Sequence, residues 1–270
     1  MIPEIQVAAI QLNANGSRQQ NVDKAVQMVE QAAVAGAKLI VLPELFNGYG
    51  DLAPVIEQAE PLPGPTSERL RQCAVQHGVW LVGGSICEQS NQPSRGYNTS
   101  LLFGPDGSEL ARYRKIHLFD ANVPGNASVC ESQHMLPGDE VVTIPTDLAT
   151  FGLAICYDLR FPELFRQLSS RGMEVLLFPS AFTLATGKDH WHVLLRARAI
   201  ENQCYIVAAN QCGKHTERLS SFGHSLIIDP WGRIVAEADD EETIIYARLD
   251  GIRLNSVREV LPALRNRRLS

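Results

Sequence analysis

Residues 99–111 read TSLLFGPDGSELA and residues 224–236 read HSLIIDPWGRIVA, two strand–turn–strand patterns set 125 positions apart. At the same offset, VWLVGG (79–84) matches CYIVAA (204–209). Turn chemistry by itself makes GPDG and DPWG alike, because Pro, Asp and Gly each supply a conformation that a tight turn needs. A shared offset over two separate segments demands more than that. Two further pairs extend the match at offsets enlarged by loop insertions: AGAKLIVLPELF (35–46) with RGMEVLLFPSAF (171–182), and VAAIQL (7–12) with GLAICY (152–157). The chain therefore reads as two related halves. Each half predicts a sheet with helices on its outer face, and the apolar inner faces of the two sheets bury each other.

Hydrophobic periodicity fills in the elements. Residues 5–12 predict a strand. Residues 21–35 predict a helix with Ala25, Met28, Val29, Ala32 and Ala33 on one face and Gly36 as its stop. LIVL (39–42) is a buried strand that ends in PELF. A second helix is expected from about Ser67 to Gln76, stopped by Gly78, and VWLVGG then forms the next strand. NTSLLF and ELARYRK make a hairpin across GPDGS. No Ser/Gly linker or charge run separates the halves, so residues 1–270 are expected to form one domain.

With 270 residues and 45% apolar content, the chain can build a large core. A net charge of −6, with RNRR (265–268) as its one short basic block, argues against a nucleic-acid partner. No segment approaches a membrane span, and the N-terminal residues lack the pattern of a secretory signal. Six cysteines in a chain of this length are too sparse for a disulfide scaffold and are read as reduced. A cytoplasmic protein without membrane association is expected.

Cys156 closes the apolar run FGLAI and precedes YDLRFPELFRQL, which carries a helix start signal. A nucleophile between a strand end and a helix N-terminus sits where backbone N–H groups and the helix dipole favour negative charge. Three ionisable residues also flank apolar segments, where charge is costly unless it is paired or used. They are Glu44 after LIVLP, Lys115 after ELARYR, and Glu131 in CESQHMLPG. Together these supply the parts of thiol acyl transfer. Glu44 can act as base if burial raises its pKa, and Lys115 with the Tyr157 backbone N–H can stabilise an oxyanion. His190 and His192 lie two apart on a helix and face different ways, so they do not form a metal pair. His77, His117 and His134 read as surface groups. No Walker loop, dinucleotide glycine fingerprint, GxSxG elbow or CxxC pair is present, and neither a cofactor nor a metal is expected.

PELF (43–46), YRKIHLFD (113–120), ES with a later PG (131–138) and CYDLRFPEL (156–164) resemble the nitrilase superfamily of carbon–nitrogen hydrolases in order and approximate spacing. The resemblance implies a four-layer αββα sandwich with an internal pseudo-two-fold duplication. It makes Glu44 the general base, Lys115 the oxyanion stabiliser, Cys156 the nucleophile, and Glu131 a second glutamate that helps position substrate. The second half, from PSAFTLATGKDHWHVLLRARAIENQCYIVAANQCGKH to SFGHSLIIDPWG, is most similar to the Nit branch of amidases. That implies a small 2-oxo acid amide as substrate. Deaminated glutathione is expected first, with 2-oxoglutaramate or another small amide or carbamoyl compound as the alternative.

Arg160 offers a guanidinium fork for a substrate carboxylate. The resemblance places Phe182 and Thr186 in the same pocket. The polar stretch NQCGKHTERLSSFGHS (210–225) reads as a loop that reaches a longer, peptide-like substrate. The resemblance also implies a homodimer, with Pro162–Arg171 and the segment ending in PALRNRRLS as its contacts. Two non-hydrolase readings fit the sequence less well. A scaffold protein has no reason to keep a thiol and charges at strand ends, and a redox protein lacks a partner cysteine at CxxC spacing.

Overall fold

A computed structural model of the protein describes residues 2–122 and 129–269. The first half runs β1 (Ile5–Gln11), α1 (Arg18–Val34), β2 (Leu39–Val41), α2 (Leu52–Glu57), α3 (Pro65–His77), β3 (Trp80–Val82), β4 (Ile86–Gln89), β5 (Gly96–Phe103) and β6 (Glu109–Arg114). A short ribbon follows, β7 (Asp120–Ala121) with β8 (Val129–Cys130), and then β9 (Thr143–Pro145). The second half runs β10 (Thr150–Leu153), α4 (Pro162–Ser170), β11 (Val175–Ser180), α5 (Leu184–Asn202) and β12 (Tyr205–Asn210). A second ribbon of β13 (Cys212–Lys214) and β14 (Ser220–Phe222) leads to β15 (Leu226–Ile228) and β16 (Ile234–Glu237). β17 (Thr243–Leu249) and α6 (Gly251–Val260) come last.

The strands form two main sheets. One has the order β17-β1-β2-β3-β5-β4 with β6 on the other side of β5, and the second has the order β16-β15-β12-β11-β10-β9. β1, β2, β3, β5 and β6 correspond in turn to β10, β11, β12, β15 and β16, as the matched segments predict. What the sequence did not announce is an exchange. β9, which follows the first half, pairs antiparallel with β10; β17, which follows the second, pairs antiparallel with β1 from Ile5↔Leu249 to Gln11↔Thr243. Each sheet is thus completed by a strand that trails the other half.

Period-2 alternation sorts side chains between layers. Val7, Ala9, Leu39 and Val41 point inward and meet Phe151, Leu153, Val175, Leu177 and Val207 between the sheets. Ala8, Ile10 and Ile40 point outward onto Val22, Ala25, Val29 and Leu70 of α1 and α3. Leu176, Phe178 and Ile206 do the same against Leu164, Leu168, Trp191 and Leu195 of α4 and α5. The result is the four-layer αββα sandwich.

Both early helices start ahead of expectation. A capping box between Ser17 and Gln20 starts α1 at Arg18, and Met28 and Ala33 on its predicted inner face are only half-buried. Pro65 begins α3, since a proline at the first helical position loses no hydrogen bond, and Gly78 ends it in the left-handed conformation. The six cysteines are all free, four of them buried and Cys130 and Cys156 half-buried. No helix of the described residues is long and apolar enough to cross a membrane.

Two glycines shape the rim that carries the chemistry. Gly84, at φ +53°, follows β3 so closely that a Cβ there would lie 2.1 Å from the Pro43 carbonyl, the residue before Glu44. Gly138 lies against the strand of Lys115: its N–H donates to the Lys115 carbonyl at 2.8 Å, and a Cβ would fall 2.3 Å from the Arg114 carbonyl. A side chain at either position would displace a candidate catalytic residue.

Candidate active site

β2, β10 and β11 are parallel neighbours within their sheets, and the chain just beyond their carboxyl ends supplies Glu44, Cys156 and Ala181–Phe182. Crevices outside strand carboxyl ends are where open α/β sheets bind ligands. Glu44 is 3% exposed, and Lys115, just past β6, is 2% exposed. Lys115 Nζ donates to Glu44 Oε1 at 2.9 Å and to Glu131 Oε1 and Oε2 at 3.1 and 2.9 Å. The second Glu44 oxygen accepts from the Ala181 N–H at 2.9 Å. Glu131 Oε2 also accepts from the Phe119 N–H at 2.6 Å. Burial opposes the charge on Lys115, but the carboxylates of Glu131 and Glu44 outweigh it and hold its pKa well above the ordinary lysine value. The ammonium is therefore a fixed charge through the neutral range.

Cys156 adopts φ +46°, uncommon for a residue with a Cβ, and begins a 3-10 turn spanning Cys156–Arg160. The α-helix starts at Pro162, the start expected for it, and this tighter turn fills the stretch between it and the cysteine. The amides of its first turn, including that of Tyr157, have no acceptor inside the segment. Burial pushes the thiol pKa up and the Glu44 carboxylate adds to this, while Lys115, the Ser180 hydroxyl and the Ala181 N–H oppose it. The net shift is upward, so the resting group is a thiol and not a thiolate. Burial also raises Cys73 to about 11 and Cys87, Cys204 and Cys212 to about 12. What distinguishes Cys156 is its company, a buried carboxylate and a buried ammonium.

Glu44, Lys115, Glu131, Cys156, Tyr157, Arg160, Phe182 and Thr186 all line one cleft, which encloses about 600 Å³ including space open to solvent. Every site residue expected from sequence is therefore brought to one place. The Arg160 guanidinium, at the half-exposed mouth, contacts His190 Nδ1 at 3.2 Å and lies 5.2 Å from the Phe182 ring centroid. It is less buried than a sequestered carboxylate clamp would be. Among the described residues no carboxylate lies within ion-pair distance of it. Residues 210–225 form the β13–β14 ribbon in place of the expected plain loop, and Leu219 at its turn joins the cleft lining.

Sequence reading missed several participants. Asn98, fully buried in β5, donates to Glu44 Oε1 at 2.8 Å and to Glu131 Oε1 at 3.4 Å. Its signal was an amide at the head of the polar triplet Asn98–Thr99–Ser100 in a strand that is buried almost throughout. Asp158, also fully buried, accepts from the Ile155 N–H at 2.9 Å, the His117 N–H at 3.0 Å and the Tyr113 hydroxyl at 2.6 Å. It ties the nucleophile turn to the strand that presents Lys115. His117, expected at the surface, instead places Nδ1 2.7 Å from Asp158 Oδ1 and stacks on Phe161 at 3.7 Å between ring centroids. Tyr49 lines the cleft and donates to the Ala181 carbonyl at 3.3 Å.

Comparison with known proteins agrees with this geometry. The carbon–nitrogen hydrolase family matches residues 6–259. Human deaminated glutathione amidase is 42% identical over 267 residues, covering 97% of this chain and 82% of that protein. Human omega-amidase NIT2 is 40% identical over 262 residues, covering 97% and 94% respectively. The structure of Saccharomyces cerevisiae Nit3, a member of branch 10 of the nitrilase superfamily, superposes with a TM-score of 0.88 at 36% identity, covering 98% of this chain and 97% of that one. The chain belongs to the carbon–nitrogen hydrolase family, and it is a hydrolase of carbon–nitrogen bonds other than peptide bonds. Within that family its place is the Nit branch, among amidases.

Proposed function

We propose that the protein hydrolyses a small 2-oxo acid amide through a thioester on Cys156, with deaminated glutathione as the preferred substrate. The observation that carries the mechanism is the Glu44–Lys115–Glu131 charge cluster, buried beside the only one of the six thiols that faces the cleft. Glu44 takes the proton from the Cys156 thiol as sulfur attacks the amide carbon. The oxyanion is held by Lys115 Nζ and the Tyr157 N–H. Glu44 then returns its proton to the departing nitrogen, and ammonia leaves as the C–N bond breaks. In the second half-reaction Glu44 deprotonates water, which attacks the thioester and releases the carboxylic acid and the thiol. Glu131, with both oxygens on Lys115, fits a role in aiming that ammonium as well as in lining the substrate's cleft.

Arg160 is proposed to hold the substrate carboxylate, since its guanidinium faces the cleft and has no acidic partner among the described residues. Arg160→Lys keeps the charge but loses the fork. It should lower kcat/KM about tenfold for carboxylate-bearing amides, the scale of one charge-assisted hydrogen bond, and leave a neutral amide of similar size within about twofold. Equal losses for both would make Arg160 structural. The preference for deaminated glutathione is supported by the β13–β14 ribbon, whose Leu219 reaches the cleft where a longer substrate would extend. The similarity to omega-amidase keeps 2-oxoglutaramate as the alternative. Ammonia release measured side by side decides: a higher kcat/KM for 2-oxoglutaramate replaces the first choice.

A symmetric homodimer is proposed as the working form. The C-terminal segment exposes Val260, Leu261 and Leu269, and Arg267 crosses to Ser170 at 2.9 Å, so this segment and α4 make one continuous face. Sedimentation at micromolar concentration should give twice the chain mass. A stable monomer refutes this assembly.

A further inference from the structure

We propose a second site, a divalent transition-metal site formed by His192 Nε2, His224 Nδ1 and Glu237 Oε1 on the outer side of the second sheet. The three atoms come from α5, from the turn before β15 and from the end of β16, and all lie within 4.8 Å of one another. Glu237 Oε1 is 2.8 Å from His192 Nε2 and 3.0 Å from His224 Nδ1. A tetrahedral ion with bonds of about 2.0–2.1 Å separates its ligand atoms by roughly 3.3 Å, so Glu237 Oε1 needs to draw back from each imidazole nitrogen by only a few tenths of an ångström. His192 and His224 are 32 positions apart in sequence, and Glu237 lies 13 beyond His224. The tertiary fold creates the set.

The far side of His224 makes the case for a cation. Its Nε2 lies 3.2 Å from Asp240 Oδ1 while its Nδ1 faces Glu237. A neutral imidazole has one N–H. With that hydrogen on Nε2 toward Asp240, the Nδ1 lone pair points at a carboxylate oxygen, and either a proton or a metal ion between the two relieves the repulsion. A carboxylate on the remote nitrogen of a ligating imidazole is the usual support for a metal-binding tautomer. His224 is also held in place. Its backbone sits at φ +52°, its carbonyl accepts from Trp191 Nε1 at 2.7 Å, and its ring stacks on Phe222 at 4.5 Å. The side chains of His192, His224 and Glu237 are 31%, 26% and 36% exposed, so an ion reaches the site from solvent without the protein opening.

Two imidazoles and one carboxylate suit zinc and its borderline neighbours, and not magnesium or calcium, which take oxygen ligands. The bound ion would clamp α5 to the edge of the second sheet. Trp191, next to His192, packs on Phe182 of the cleft at 5.2 Å, so the clamp braces one wall of the active site without taking part in the reaction.

The test is calorimetric titration of Zn²⁺ into the Cys156→Ala protein, in which the cleft thiol cannot compete, and into the same protein carrying His192→Ala, His224→Ala or Glu237→Gln. One ion per chain should bind, with affinity at least about tenfold weaker in each variant, and Mg²⁺ should give no heat. Co²⁺ in place of Zn²⁺ should give visible absorption without the near-ultraviolet charge-transfer band of a thiolate ligand. Unchanged affinity in the three variants, a thiolate band, or no zinc binding would overturn the site and leave His224 as an imidazolium between two carboxylates. Circular dichroism of each variant separates a lost ligand from a lost fold.

Discussion

The Cys156→Ala protein releases no ammonia above background from either oxo-amide while its circular dichroism matches that of the parent. Removing a covalent nucleophile costs on the order of 10⁶ in turnover, because Glu44, Lys115 and the Tyr157 amide then have no attacking atom to serve. The fold should survive for two reasons. The thiol-to-methyl change removes a single heavy atom at a position that borders the open cleft as well as the core, so it leaves little new void. Alanine also carries a Cβ and meets the φ of +46° on the same terms as cysteine. Folded variant protein with turnover near the parent's would end the thioester mechanism.

Glu44→Gln and Lys115→Met each lower kcat by about two to three orders of magnitude, the range for losing a general base or an oxyanion donor. The double variant is little worse than either single one, because the two groups act on the same step and share a hydrogen bond of 2.9 Å. The stabilities should diverge. Glu44→Gln keeps an oxygen to accept from Lys115, whereas Lys115→Met leaves two buried carboxylates facing each other without a cation, at a cost of about 3–5 kcal/mol. A Tm measured beside kcat separates the two effects, and additive rate losses would contradict the coupling. The sign of the Lys115 shift sets the pH window. A raised pKa means that the stability it contributes is fully present below the ordinary lysine value of about 10.4 and is lost as pH climbs through the elevated one. Deprotonation of Lys115 therefore does not shape the activity profile near neutrality.

The site was legible to the extent that its residues sit at ends of strongly patterned segments. Glu44 and Cys156 each follow an apolar strand, where a charge or thiol stands out against its neighbours, and Lys115 closes the second strand of a hairpin marked by its turn. Asn98 stood out less, since one amide among NTSLLF also reads as an ordinary solvent-facing position; only the approach of two carboxylates gives it a function. His117 was misread, and Asp158 passed over, for a related reason. An acid and an imidazole near turns look solvated until another element closes over them, and the partner that closes here is 41 residues away.

Sequence alone determined the repeated strand–helix order, the alternation that makes each sheet two-faced, the turn types and the reactive residues, because these depend on steric and hydrophobic preferences over a few neighbouring residues. Tertiary structure decided the rest. It decided that β9 and β17 cross to the opposite sheets, that Gln11 donates to the carbonyls of Asp239 and Glu241 some 230 residues away, and that His192, His224 and Glu237 meet. It also set the pKa directions of Lys115 and Cys156. Such features depend on which surfaces are buried together and on the loss of water around charges, and neither exists until distant segments have packed.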